Sequence, residues 1–181
     1  MRGVGVEKLP IDSNQDFLIP DTKGQLPIIQ KFRQVNEDYK LLIVGGVVQR
    51  VVYRKVQVHD FRSNASCSGS KQIHLPGTLN RYNEMFDGQD FINVEGYEIP
   101  HLSESDYNSM VSLACQAVNL FKLGLASVDF TFNEQLQPEI LEIDASPWLP
   151  NAIQVHPKNI PELGCNNSLY ASIITAMTNL L

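Results

Sequence analysis

Cysteine is scarce in this chain: Cys67, Cys115 and Cys165 stand far apart and form no paired spacing. That pattern excludes a disulfide framework and a zinc site, whose ligands recur at short intervals, and it makes a reducing cytoplasm the expected location. An excess of positive charge is missing too. Against 20 Asp and Glu there are 14 Lys and Arg, giving a formal net charge of -6. A broad surface for gripping a polyphosphate backbone is therefore not expected, and nucleic acid is excluded as a main partner. A compact nucleotide held by a few local cations stays compatible. Long hydrophobic runs are also wanting. The opening Met1-Arg2-Gly3-Val4-Gly5 holds no apolar stretch of signal-peptide length, and nothing later approaches a membrane span, so no membrane partner is expected.

What remains is an ordinary globular composition, 43% hydrophobic and 19% charged over 181 residues, which suits one domain with one core. Residues 1–27 are turn-rich, broken by Gly3, Gly5, Pro10, Pro20, Gly24 and Pro27. Residues 28–32 read as a strand, Asn36-Glu37-Asp38 as a turn, and residues 40–44 as a second strand. Gly45-Gly46 then turns the chain into a β-rich run over 47–58 and makes a hairpin. Residues 76–102 show little periodicity and many Asn, Gly and Asp, and are expected to form an irregular insertion. Ser103 and Asp106 resemble a capping box, with Tyr107, Met110, Val111, Ala114, Val118 and Phe121 following at helical spacing and Gly124 placed to end the helix. Residues 125–132 and 139–144 read as two further strands, and Tyr170, Ile173, Ile174, Met177 and Leu181 describe a last amphipathic helix. This order predicts an α+β fold, an antiparallel β-sheet backed by helices.

Side chains alternate along a strand, so Asp129 and Thr131 share the face opposite Val128, Phe130 and Phe132. On the next strand the same rule sets Leu141 and Ile143 against Ile140, Glu142 and Asp144. A symmetric turn that pairs Phe132 with Glu139 would put Asp129 across from Glu142, with Cβ atoms roughly 5 Å apart. Three carboxylates would then crowd one patch. Like charges opposed on a sheet are destabilising, so a cation is expected among them, and a hard divalent ion suits an all-oxygen site. The plainer alternative is a set of solvated acids on an open sheet face.

Neighbouring residues narrow the choice. Leu123-Gly124-Leu125-Ala126-Ser127-Val128-Asp129-Phe130 and Ile140-Leu141-Glu142-Ile143-Asp144-Ala145-Ser146-Pro147 resemble the end of the ATP-grasp domain, in the branch containing the ribosomal protein S6 glutamate ligase and related carboxylate-amine ligases. Upstream, Ile29-Gln30-Lys31-Phe32 resembles that family's hinge strand, Asp38-Tyr39-Lys40-Leu41 its Asp-x-Arg strand, and Asp60-Phe61-Arg62-Ser63-Asn64 its Phe-Arg-x-Asn loop. The resemblance implies an ATP-dependent ligase that phosphorylates a small-molecule or peptide carboxylate and passes the acyl group to an amine.

It implies further that Asp129, Glu142 and Asp144 hold Mg2+, or Mn2+ in its place. Gln30, Lys31 and Phe32 would flank the adenine, Asp38 would lie near the ribose, Arg54 and Arg62 would face the transferred phosphate, and Asn64 would stand beside the metals. Fixed guanidinium groups and metal ions suit that chemistry because charge accumulates on the phosphoryl oxygens.

Several positions depart from the family pattern. Asp144 stands where Asn is usual, Lys40 replaces Arg, Trp148 follows Ser146-Pro147 where Gly is usual, and Ser68-Gly69-Ser70 replaces a Gly pair. The resemblance covers the C-terminal lobe and implies that the N-terminal lobe is largely missing from this sequence. The expectation is then that the chain is a fragment of a longer ligase, or that a partner chain or a second copy completes it; a noncatalytic binding or scaffold module is the competing expectation.

Overall fold

The computed structural model describes residues 37–55, 72–94, 96–147 and 153–154. Within these residues the fold is α+β, a mostly antiparallel sheet with two helices. Strands β1 (Glu37–Val44), β2 (Val47–Lys55), β3 (Gln72–Pro76), β6 (Leu125–Phe132), β7 (Pro138–Asp144) and β8 (Ile153–Gln154) form one sheet in the order β7-β6-β1-β2-β3-β8. All neighbours are antiparallel except β3 and β8. Helices α1 (Leu79–Phe86) and α2 (Glu104–Leu120) and a separate ribbon of β4 (Phe91–Val94) and β5 (Tyr97–Pro100) complete the set. No helix among the described residues is long and apolar enough to cross a membrane.

Gly45 and Gly46 make the β1–β2 turn as expected. Both have positive φ, 57° and 76°, as the common two-residue hairpin turn requires. Glu37 and Asp38, read from the sequence as part of a turn, belong instead to the start of β1, where ladder pairs Glu37–Lys55 and Asp38–Arg54 hold them. Further along, Leu42 faces Arg50 while Ile43 faces Val48, so Gln49 is an extra residue bulged out of β2.

One face of the sheet carries the core. Tyr39, Leu41, Ile43, Val51, Tyr53, Ile73, Leu75, Val128 and Phe130 pack with Tyr82, Met85 and Phe86 of α1 and with Tyr107, Met110, Ala114 and Val118 of α2. The α2 cap forms as the sequence predicts, the Asp106 amide donating to Ser103 Oγ at 3.1 Å. The helix ends differently. Lys122, at φ 53°, takes the left-handed position expected of Gly124; its amide donates to the Asn119 carbonyl and that of Leu123 to the Val118 carbonyl, the paired bonds of a Schellman cap. Phe121 lies beyond the last helical turn and is exposed rather than part of the core stripe.

The segment 76–102 is not irregular. It holds α1, β4 and β5, with Gly96 at φ 83° in the turn of the ribbon. The sequence signal is weak because α1 has only four apolar or aromatic residues in eight and no side-chain N-cap bond. Burial of Tyr82, Met85 and Phe86 against the sheet makes it a helix, a tertiary effect that outweighs local propensity.

Candidate functional site

The other face of the sheet is polar, and much of it is buried. Alternation puts Asp38, Lys40 and Leu42 of β1, Arg50, Val52 and Arg54 of β2, His74 of β3, and Ser127, Asp129 and Thr131 of β6 on this side. Asp38, Arg54, Ser127, Asp129 and Thr131 are each less than a tenth exposed. The reading of Asp129 as a solvated acid on an open face is therefore corrected.

Arg54 is the hub. It donates from Nε to Asp38 Oδ1 and from Nη2 to Asp129 Oδ2 at 2.8 Å, joining strands that lie apart in sequence. Lys40, the ladder partner of Asp129, brings Nζ to 3.2 Å from Asp129 Oδ1, a charge contact without hydrogen-bond geometry. The positive charge that the acids demanded is thus supplied, in part, by the protein itself. Burial would lower the Arg54 guanidinium, but Asp38 and Asp129 outweigh it and hold the group above its ordinary range. At Asp38 burial wins over the attraction of Arg54 and pushes the carboxyl up to about 6. Asp38 therefore titrates near neutrality although it is paired, and Arg54 stays charged.

Asp129 lies across from Glu142, as expected from the sequence, but by another route. The turn is one residue out of the assumed register: Phe132 faces Pro138 rather than Glu139. A bulge at Leu141 then restores the frame, since Phe130 faces Ile140 and Asp129 faces Glu142. The bulge also corrects the expected faces. Ile140 joins Ile143 against the core, and Leu141 turns to solvent at 50% exposure. Asp144 faces Ser127, one pleat repeat along the same side, and its Oδ1 accepts the Ser146 amide at 2.8 Å. Among the described residues no three His, Cys, Asp or Glu side chains converge as a ready-made metal cage. The Asp129–Glu142 pair does suit Mg2+, which takes one or two carboxylates and fills its shell with water and phosphate oxygens.

Of the other residues singled out in the sequence, Asp38 and Arg54 meet at this cluster, whereas Gln30, Lys31, Phe32, Arg62 and Asn64 lie outside the described residues. Sequence reasoning missed Arg50 and His74, which share the polar face across β2 and β3. Only the apolar flanks of His74, Ile73 and Leu75, hinted at it.

The chain matches no protein-family model and no curated protein. Among solved structures it is similar to the ATP-grasp ligase PsnB complexed with minimal precursor, at 11% identity and a TM-score of 0.41, over 80% of this chain and 36% of that one. It is also similar to the macrocyclase MdnC bound with precursor peptide MdnA from Microcystis aeruginosa MRC, at 13% identity and a TM-score of 0.34, over 63% of this chain and 26% of that one. The chain thus spans roughly a third or less of the length of either protein.

Proposed function

We propose that the chain is a C-terminal lobe of an ATP- and Mg2+-dependent carboxylate-amine ligase of the ATP-grasp kind, and that the polar sheet face receives the nucleotide phosphates. One observation carries the reading: Asp38, Lys40, Arg54, Asp129 and Glu142, drawn from four strands, come together on one face. Four of them belong to the motifs that resemble that family, and Arg54 is the ladder partner of Asp38 in one of those motifs.

In this reading Arg54 and Lys40 fix the Asp129 carboxylate, so that it pays little orientational cost when a metal arrives. Exposed Glu142 supplies the second carboxylate. Lys40, only partly buried, is able to turn from Asp129 toward a phosphate. When bound, Mg-ATP supplies the phosphoryl group that activates a carboxylate for attack by an amine. Gln30, Lys31 and Phe32 are assigned to the adenine, and Arg62 and Asn64 to the reacting end, on sequence resemblance. The substrates are a small-molecule or peptide carboxylate and an amine.

Calorimetric titration of the folded chain with Mg-ATP tests this. Saturable binding that requires the metal and weakens at least tenfold in Glu142→Ala is expected, with a stability gain of about 2.7 kcal/mol at a hundredfold excess over the dissociation constant. Absence of binding by a demonstrably folded sample would overturn it.

A second reading, a noncatalytic binding or scaffold module of the same ancestry, is favoured by one feature. Asp129 already meets Arg54 and Lys40, so this carboxylate is charge-matched without a metal. ADP release in the presence of candidate carboxylates and amines excludes that reading.

A further inference from the structure

A second polar patch on the same sheet face carries positive charge that no acid among the described residues matches. Arg50 pairs with Pro76 across the β2–β3 ladder, which makes His74 its diagonal neighbour on the polar side, roughly 7 Å away. Buried Leu42 and Val52 separate this corner from the Asp129 cluster. The Arg50 guanidinium is lowered by burial and then by the charge of Arg81, which stands in the first turn of α1. His74 is only 9% exposed, and burial followed by the Arg50 charge pushes its imidazole down to about 4. The ring is therefore neutral at physiological pH, and its buried Nε2 has no hydrogen-bond partner among the described residues. Neither Arg50 nor Arg81 forms an ion pair among the described residues.

Gly77 brings the start of α1 into the same corner. A Cβ there would fall 2.6 Å from the Gln49 carbonyl oxygen and 2.7 Å from the Arg50 nitrogen, so the β3–α1 connection lies directly on the bulged Gln49–Arg50 peptide. The helix beginning there has no side-chain cap from Thr78 and no acid in its first turn. Its first amides are unpaired within the helix, and Arg81 opposes the helix dipole. The repulsion of two like charges, an orphan imidazole nitrogen and an uncapped helix end are three separate costs. One bound anion offsets them all.

We propose that Arg50, His74 and the start of α1 at Arg81 form a binding site for a phosphate-class dianion. The two guanidinium groups offer forked donors to its oxygens, and His74 offers Nε2–H in the matching tautomer. Two arginines favour a dianion over a monocarboxylate. The site stands whether or not the acidic cluster binds nucleotide.

The test is a titration of the chain with inorganic phosphate, free of Mg2+ and nucleotide, against sodium chloride of equal ionic strength. It is read by the His74 ring signals in NMR, assigned with His74→Gln, and by thermal melting. Saturable movement of the His74 signals and a raised melting temperature are expected. Arg50→Gln and Arg81→Gln should each weaken binding at least tenfold, and acetate should bind at least tenfold more weakly than phosphate. Arg81 is exposed, so its variant separates lost binding from lost folding. His74 signals that respond no more to phosphate than to chloride overturn the proposal, as does retained affinity in Arg81→Gln or equal affinity for acetate.

Discussion

Arg54 and Arg50 lie four residues apart on one strand and face the same way, yet their settings are opposite. Arg54 is buried between Asp38 and Asp129, and each of its charged contacts is met. Arg50 has a second arginine and a neutral histidine for company. Charge on one strand thus has two settings: matched and buried it fixes a geometry, and half-buried without a counter-charge among the described residues it carries a cost that a bound anion would relieve.

The largest effect should come from removing the matched arginine. Arg54→Met leaves two buried carboxylates without their guanidinium, and a loss of about 3–5 kcal/mol is expected in chemical denaturation. Arg50→Met strands no partner among the described residues and should stay within about 1 kcal/mol of the parent. Equal losses in the two variants would erase the contrast. Next in size is Gly77→Ala, whose new methyl meets backbone rather than a movable side chain. A loss of about 1–3 kcal/mol is expected, together with weaker phosphate binding at the Arg50 corner.

Acid should distinguish the patches in a different way. Asp38, raised from 3.8 to about 6, contributes stability that is full below pH 3.8 and lost as pH rises through about 6. His74, lowered from 6.5 to about 4, contributes stability that is full above pH 6.5 and lost as pH falls through about 4. Between those limits the two slopes oppose each other. In His74→Gln only the Asp38 slope survives, so acidification from pH 6 to pH 4 should stabilise the variant relative to the parent in denaturation midpoints. A difference between variant and parent that stays constant with pH would refute the assignment of His74. The smallest expected change is Arg81→Gln, a gain of about 0.3–1 kcal/mol without phosphate, because a charge adverse to the helix dipole is removed.

How much of this was legible in the sequence varies by element. The hairpin at Gly45-Gly46 and the Ser103 cap are local, and local chemistry writes them plainly. The Asp129–Glu142 pairing was legible only through two compensating features, a turn one residue shorter than assumed and a bulge at Leu141 that recovers the frame. Bulges leave little trace in a pattern of alternation. The hub contact between Arg54 and Asp129 spans 75 residues and follows from the strand order, which no window of sequence contains. Helix α1 was hidden for a similar reason, since its stability comes from what Tyr82 and Phe86 touch.

In the proposed function Asp129 and Glu142 form the metal-nucleotide end of the polar face. Manganese-ATP added at substoichiometric levels to the isotopically labelled chain tests it most directly, because paramagnetic broadening falls off steeply with distance. Selective loss of amide signals at Asp129, Glu142 and Lys40, with Arg50 and His74 less affected, is the predicted result. Uniform broadening, or broadening centred away from β6 and β7, would contradict it.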